Sequence, residues 1–150
     1  MLYFADDAEY NGTISSYYSA DVQDVKPSCI LKPRSSKDVA KALDKLNSRE
    51  GRRFPVAVRS GGHAPYPSSN VQDGVVIDLG NLNSIEYFPS QFGPGTVSIG
   101  SGSRWGEVYA ALEPKGVMVA GGREGHVGVG GFLLGGGTSC PLTLCTFSCS

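Results

Sequence analysis

Apolar positions along the chain divide into short runs of different period. Residues 1–27 are mostly polar, with Tyr10, Tyr17 and Tyr18 scattered among them, and read as an irregular lead-in. Cys29-Ile30-Leu31 is a short apolar run of strand type. Ser35 with Asp38 three residues later fits a capping box. Val39, Leu43 and Leu46 then recur at helical spacing beside Ala40 and Ala42, and Gly51 supplies a stop, which predicts an amphipathic helix. Phe54, Val56 and Val58 alternate as a strand should, and the run breaks at Ser60-Gly61-Gly62-His63. Val75-Val76-Ile77-Asp78 is the best candidate for a buried strand. A turn over 81–84 leads to two further candidates, 85–88 and 96–99, with the Pro94-Gly95 turn before the second. Trp105, Val108, Tyr109 and Leu112 lie at i, i+3, i+4 and i+7 and predict a second helix over 103–113. That face accounts for the single tryptophan as a core residue. After Met118 glycine dominates.

Composition changes this picture at one point. Glycine numbers 21 in 150 residues, roughly twice the usual share of about 7%. Otherwise the chain is ordinary: 40% hydrophobic, net charge -1, with Lys and Arg dispersed. No basic stripe marks a nucleic-acid binder, and no run approaches the ~18 apolar residues of a membrane span. The first residues, Met1 to Asp7, have neither the basic start nor the apolar stretch of a secretory signal. Cys29, Cys140, Cys145 and Cys149 are too unevenly spread for a disulfide framework and lack paired zinc-ligand spacing, so no metal site is expected.

The candidate chemistry lies in two glycine-rich loops. A strand that stops at Gly61-Gly62 can turn through backbone angles closed to other residues. With no side chains in the way, its N–H groups can form a nest around phosphate oxygens. Arg59 stands on one side of this loop and His63 on the other. A tight turn carrying a surface imidazole is the plainer alternative. The second loop, 121–131, contains no G-x-G-x-x-G dinucleotide fingerprint and no G-K-[ST] of a P-loop. Taken alone, it fits close backbone packing as well as phosphate contact.

Four segments in order are far more specific than either loop. R-S-G-G-H (59–63), S-S-N-V-Q-D-G-V-V-I-D-L-G-N-L-N (68–83), G-S-G-S-R-W-G-E-V-Y (100–109) and G-G-R-x-x-x-V-G-V-G-G-F-L-L-G-G-G (121–137) resemble the fungal berberine bridge enzyme-like oxidases. These belong to the vanillyl-alcohol oxidase superfamily and carry a PCMH-type FAD-binding domain. The resemblance spans about residues 15–139. It implies an α+β fold, the N-terminal lobe of that domain, with a small sheet and two helices. It also implies FAD as cofactor, with Arg59, Ser60, Gly61 and Gly62 lining the diphosphate through backbone amides. His63 is then the covalent attachment point on the methyl group of the flavin's benzenoid ring. Neutral imidazole is a competent nucleophile near neutral pH. Gly121, Gly122, Val127, Gly128, Gly130 and Gly131 match the family's second cofactor loop. Some relatives add a cysteine tether just before V-G-V-G-G. Glu124 holds that place here, so a single link is expected, with His126 a bystander.

In full-length relatives a small-molecule substrate passes hydride to the flavin and oxygen takes the electrons on. The residues that would recognise that substrate and supply its base lie beyond Ser139 in those relatives, so no catalytic residue is assigned. The expected organisation is a lead-in over 1–24, an incomplete FAD-binding domain over 25–139 and a tail over 140–150 unlike the family. On this reading the chain alone binds FAD weakly or not at all and turns nothing over, and Cys29 is unpaired. Relatives are often secreted, which leaves localisation undecided. Two rival readings stand beside it: a non-catalytic or defective flavin-binding product, and a glycine-rich carbohydrate- or phosphate-binding module.

Overall fold

A computed structural model of the chain describes residues 1–47, 54–93 and 95–139. The predicted stop at Gly51, Pro94 of the predicted turn and the whole 140–150 tail, with Cys140, Cys145 and Cys149, lie outside the described residues.

The elements in order are β1 (Leu2–Tyr3), α1 (Ala8–Ser15), α2 (Ala20–Asp24), β2 (Cys29–Leu31), α3 (Ser36–Asn47), β3 (Val56–Arg59), β4 (Val75–Asp78), β5 (Ile85–Phe88), β6 (Thr96–Ile99), α4 (Trp105–Leu112) and α5 (Val129–Gly135). The fold is α+β, with five helices and two small sheets among the described residues. Strands β2, β4 and β3 pair in parallel, in that order, and β1 adds antiparallel to β2. Strands β5 and β6 form a separate antiparallel pair, with Ile85 opposite Ile99 and Tyr87 opposite Val97.

Register determines what each face buries. Ile30, Val76 and Ala57 lie side by side across the parallel strands. Together with Tyr10, Ile14, Tyr17 and Val22 they make one hydrophobic cluster. The lead-in is therefore not irregular. Tyr10, Ile14 and Tyr17 fall at i, i+4 and i+7, one helical stripe, and α1 and α2 use it to cover the sheet. Asn70 fastens α2 from the far side, donating its amide to the carbonyls of Val22 and Val25 (both 2.9 Å).

The alternation in β3 is real, but its buried side is the other one. Ala57 and Arg59 point inward, while Val56 and Val58 are 39% and 52% exposed. A period of two separates the faces without saying which is covered, and β3 is an edge strand of this sheet. Helix α3 forms where its spacing predicts. Its start is capped as expected, with Ser35 Oγ accepting from the Asp38 N–H at 3.2 Å, while the Asp38 carboxylate reaches back to the Arg34 N–H.

A second cluster gathers around Trp105, Val108, Leu112 and Val129, with Ile85, Tyr87, Val97 and Ile99 packed against it. Trp105 is fully buried, as its helical spacing implies. Phe132 of α5 meets the indole edge-on at 5.4 Å between centroids. No helix among the described residues is long and apolar enough to cross a membrane.

Candidate functional site

The site lies beyond the carboxyl ends of the parallel strands, where open sheets flanked by helices expose loops to ligands. Strand β3 ends at Arg59 and β4 at Asp78, directly opposite. The Arg59 guanidinium turns back into the protein. It donates to Asp78 Oδ2 at 2.7 Å and to Ser16 Oγ at 2.7 Å, and lies 4.6 Å from the centre of the Tyr17 ring. Both charged side chains are almost wholly buried, 6% and 4% exposed. Burial pushes the Tyr17 phenol well above its ordinary range, an effect the nearby Arg59 cation opposes. Arg59 thus anchors the start of the glycine loop, and its charge is spent on Asp78 rather than on the pocket beyond.

Gly62 follows in the left-handed region, φ +67°. A β-carbon there would meet Arg59 Nε at 2.6 Å and the Tyr17 ring at 2.9 Å, so glycine is required twice over, by angle and by space. Gly61 abuts the second loop. A β-carbon on Gly61 would strike the backbone of Gly128, and one on Gly128 would strike the backbone of Gly61 and the Ser60 hydroxyl. The two glycine bends are in direct main-chain contact.

Three main-chain hydrogen bonds hold the second bend to the start of α4 and the residues before it, one of them from the Gly106 N–H to the Gly125 carbonyl at 2.9 Å. Trp105 N–H donates to the Val127 carbonyl at 3.1 Å and Val129 N–H to the Ser103 carbonyl at 2.9 Å. Ser60 Oγ donates to the Ser101 carbonyl at 2.6 Å, and Arg104 donates to the Gly61 carbonyl at 3.2 Å.

Where the bends meet, a cavity of about 420 Å³ opens. Gly61, Gly62 and His63 line it from the first loop, Glu124 and His126 from the second, with Arg104, Ser16 and Tyr18 completing the wall. Gly61 and Gly62 are buried, yet the main-chain N–H groups of Gly61, Gly62 and His63 donate to no acceptor among the described residues. Buried backbone donors are almost always paired. Gly61 and Gly62 depart from that pattern, His63 beside them is half-buried, and Arg104 adds positive charge to the same cavity wall. The donor set suits an anionic group such as a diphosphate.

Not every residue singled out from the sequence reaches the cavity. Gly121 and Gly122 pack under Trp105, where β-carbons would collide with the indole. Tyr109 O–H bonds the Gly122 carbonyl at 2.8 Å, and the Gly121 N–H is taken by Ser139 Oγ at 2.7 Å. Val127 packs against the Trp105 cluster. Gly130 sits against Ser60 and the Ser101 carbonyl, and Gly131 faces open space. Glu124 and His126, given no binding role on sequence grounds, do line the cavity. Their side chains bond at 3.0 Å, and this hydrogen bond holds the Glu124 carboxyl below its usual range. Ser16, Tyr18 and Arg104 join the wall without having been singled out by the sequence. Arg104 stands within the G-S-G-S-R-W segment and was legible there; Tyr18 gave no signal in sequence.

A parallel strand–helix–strand core whose strand ends carry two abutting glycine bends beside a cavity is an arrangement that can hold a phosphate-bearing cofactor. Residues 27–143 match the sequence profile of the FAD binding domain, and the chain belongs to that family. It is 44% identical over 133 residues to the FAD-dependent monooxygenase drtC of Aspergillus calidoustus, covering 87% of this chain and 25% of that protein. With the FAD-dependent monooxygenase sdcF of Emericella nidulans it shares 40% over 137 residues, covering 91% and 28%. The chain thus spans about a quarter of the length of these relatives. Among solved structures, the glycopeptide hexose oxidase DBV29 superposes with a TM-score of 0.76 at 34% identity, over 91% of this chain and 26% of that one. The glucooligosaccharide oxidase of Acremonium strictum shares the fold, with a TM-score of 0.72 at 22% identity over 92% and 28%. The chain is an FAD-binding domain of the FAD-dependent oxidoreductases, and FAD is the cofactor of its family.

Proposed function

We propose that this domain holds the FAD diphosphate on the main-chain amides of Gly61, Gly62 and His63, and carries the flavin covalently on His63. The observation that carries the reading is the set of three unpaired amides ending at an imidazole that lines the same cavity. Ser60, Gly128 and Gly130 shape the bend pair, and Arg104 offsets phosphate charge. Arg59 acts from behind the loop, through its anchor on Asp78. Val127, Gly121 and Gly122 support the second bend through the Trp105 cluster.

The tether would join a His63 ring nitrogen to the methyl carbon of the flavin's benzenoid ring in place of one N–H and one C–H bond, with dioxygen as the two-electron oxidant that would leave as hydrogen peroxide. The glucooligosaccharide oxidase of Acremonium strictum carries a 6-S-cysteinyl, 8α-N1-histidyl FAD. Here Glu124 stands where the second loop of some relatives carries a cysteine, so His63 is the single link. The bound flavin supplies hydride acceptance from a small-molecule substrate. This chain's part is to bind it, fix its orientation and hold its charge, as proteins do for cofactors that carry the difficult chemistry.

The test is retention of flavin after denaturation. FAD-loaded protein should give a fluorescent band on denaturing electrophoresis, and His63→Ala should give none. A band that persists without His63 refutes the attachment.

A further inference from the structure

Residues 16–18 precede the part of the chain that the family profile matches, and the structure clamps them onto the first glycine loop. Ser16 takes the Arg59 guanidinium, and the Tyr17 ring lies beneath it. The Tyr17 hydroxyl is fixed on the Ser69 carbonyl at 2.7 Å. Tyr18 then makes two contacts of a different kind. Its main-chain N–H donates to the Gly62 carbonyl at 3.0 Å, and its ring stacks on the His63 imidazole, 4.2 Å between centroids and 21° from parallel. The first contact fixes the peptide just before His63, and the second fixes the plane of the His63 ring.

We propose that Tyr18 is a positioning residue for His63, setting the direction in which the imidazole nitrogens face the cavity. The inference rests on the reading of His63 as the attachment point. An imidazole on an otherwise free side chain samples several staggered rotamers, and a reacting nitrogen must be aimed within narrow limits. A flat ring laid against one face fixes the plane of the imidazole, and the nitrogen lone pair that reacts lies in that plane. The phenol oxygen takes no part: the Tyr18 hydroxyl makes no hydrogen bond among the described residues, and the residue is 66% exposed. The geometry therefore assigns the work to the aromatic face, and the ring can be exchanged with little risk to the fold.

The chain has two histidines, so its imidazole resonances are few enough to follow singly. His126 pairs with Glu124 and is the internal control. In histidine-labelled protein, the carbon-bound ring protons of His63 should lie upfield, shifted by the stacked phenol. Tyr18→Leu should move them to unshifted positions and leave His126 in place, while Tyr18→Phe should keep them upfield. Given FAD, Tyr18→Leu should form the tether about 10- to 100-fold more slowly, the scale of loss for a misaimed reacting group, and Tyr18→Phe at an unchanged rate. His63 resonances unmoved in Tyr18→Leu, or a tether rate there equal to that of the unaltered chain, overturns the proposal. A tether that survives His63→Ala defeats the attachment reading instead, and the resonance shift still decides the stacking role of Tyr18.

Discussion

Removing the Asp78 carboxylate should destabilise the domain more than any change at an exposed site. In Asp78→Ala the Arg59 cation keeps only the Ser16 hydroxyl and the Tyr17 ring, with its Nε already unpaired, in a position where the side chain is 6% exposed. Leaving one member of a buried ion pair without its partner costs about 3–5 kcal/mol. The Gly80 N–H also loses its acceptor on Asp78, a 2.9 Å bond. Against a net stability of about 5–15 kcal/mol this is a large fraction. At roughly 2–4 °C per kcal/mol for a chain of this size, the melting temperature should fall by about 6–20 °C. Urea unfolding followed by the fluorescence of Trp105, which is buried in the other cluster, reads the loss directly. The double change Arg59→Met with Asp78→Leu should recover most of the loss, because apolar replacement removes both desolvation penalties. A cost below about 1 kcal/mol for Asp78→Ala, or a double variant no better than the single, would show that the pair does not anchor the loop.

Other outcomes follow from the same contacts. Gly128→Ala forces a methyl into the Gly61 backbone, so the bends must separate; we expect a loss of about 1–3 kcal/mol in denaturant unfolding, with flavin binding lost as well. Gly131→Ala, which meets nothing within 4 Å, is the matched control and should retain both. Burial raises the Cys29 thiol above its ordinary range, so its folded form should remain unreactive at a pH where the unfolded chain's thiol already reacts. Alkylation of the Cys29 peptide across a pH series, read by mass spectrometry, should give a higher midpoint folded than in urea. The sign for stability is the same: the thiolate is favoured on unfolding, so this group's contribution holds below the unfolded value and declines as pH rises past it.

Sequence patterning reached most of the fold, and its failures have physical causes. Strands β2 and β4 stand where their short apolar runs put them, and helices α3 and α4 stand where their helical spacing does. The lead-in hides its two helices because its apolar stripe consists of Tyr10, Ile14 and Tyr17 set among polar residues, and two of the three carry hydroxyls. Val56 and Val58 form the apolar side of β3, yet that side is the exposed one. The inward side holds a small alanine and an arginine that only a carboxylate nineteen residues away makes tolerable there. At the site, glycine identified the bends but not their separate duties: Gly61 and Gly128 make room for each other, while Gly121 and Gly122 make room for Trp105. A glycine's role is set by its neighbours in space, and those neighbours come from other elements. Tyr18 illustrates the same limit, since its importance arises only when the chain returns past it at His63.

The central claim is that the amides of Gly61, Gly62 and His63 are the diphosphate ligands of FAD. It is tested most directly by following the backbone amide resonances of nitrogen-15-labelled protein as FAD is added to concentrations high enough to saturate weak binding. Those three amides should move the furthest and become the slowest to exchange with solvent, and Gly128→Ala should abolish the response. Bound FAD that leaves the three unmoved, or that acts on amides away from the two bends, would contradict it.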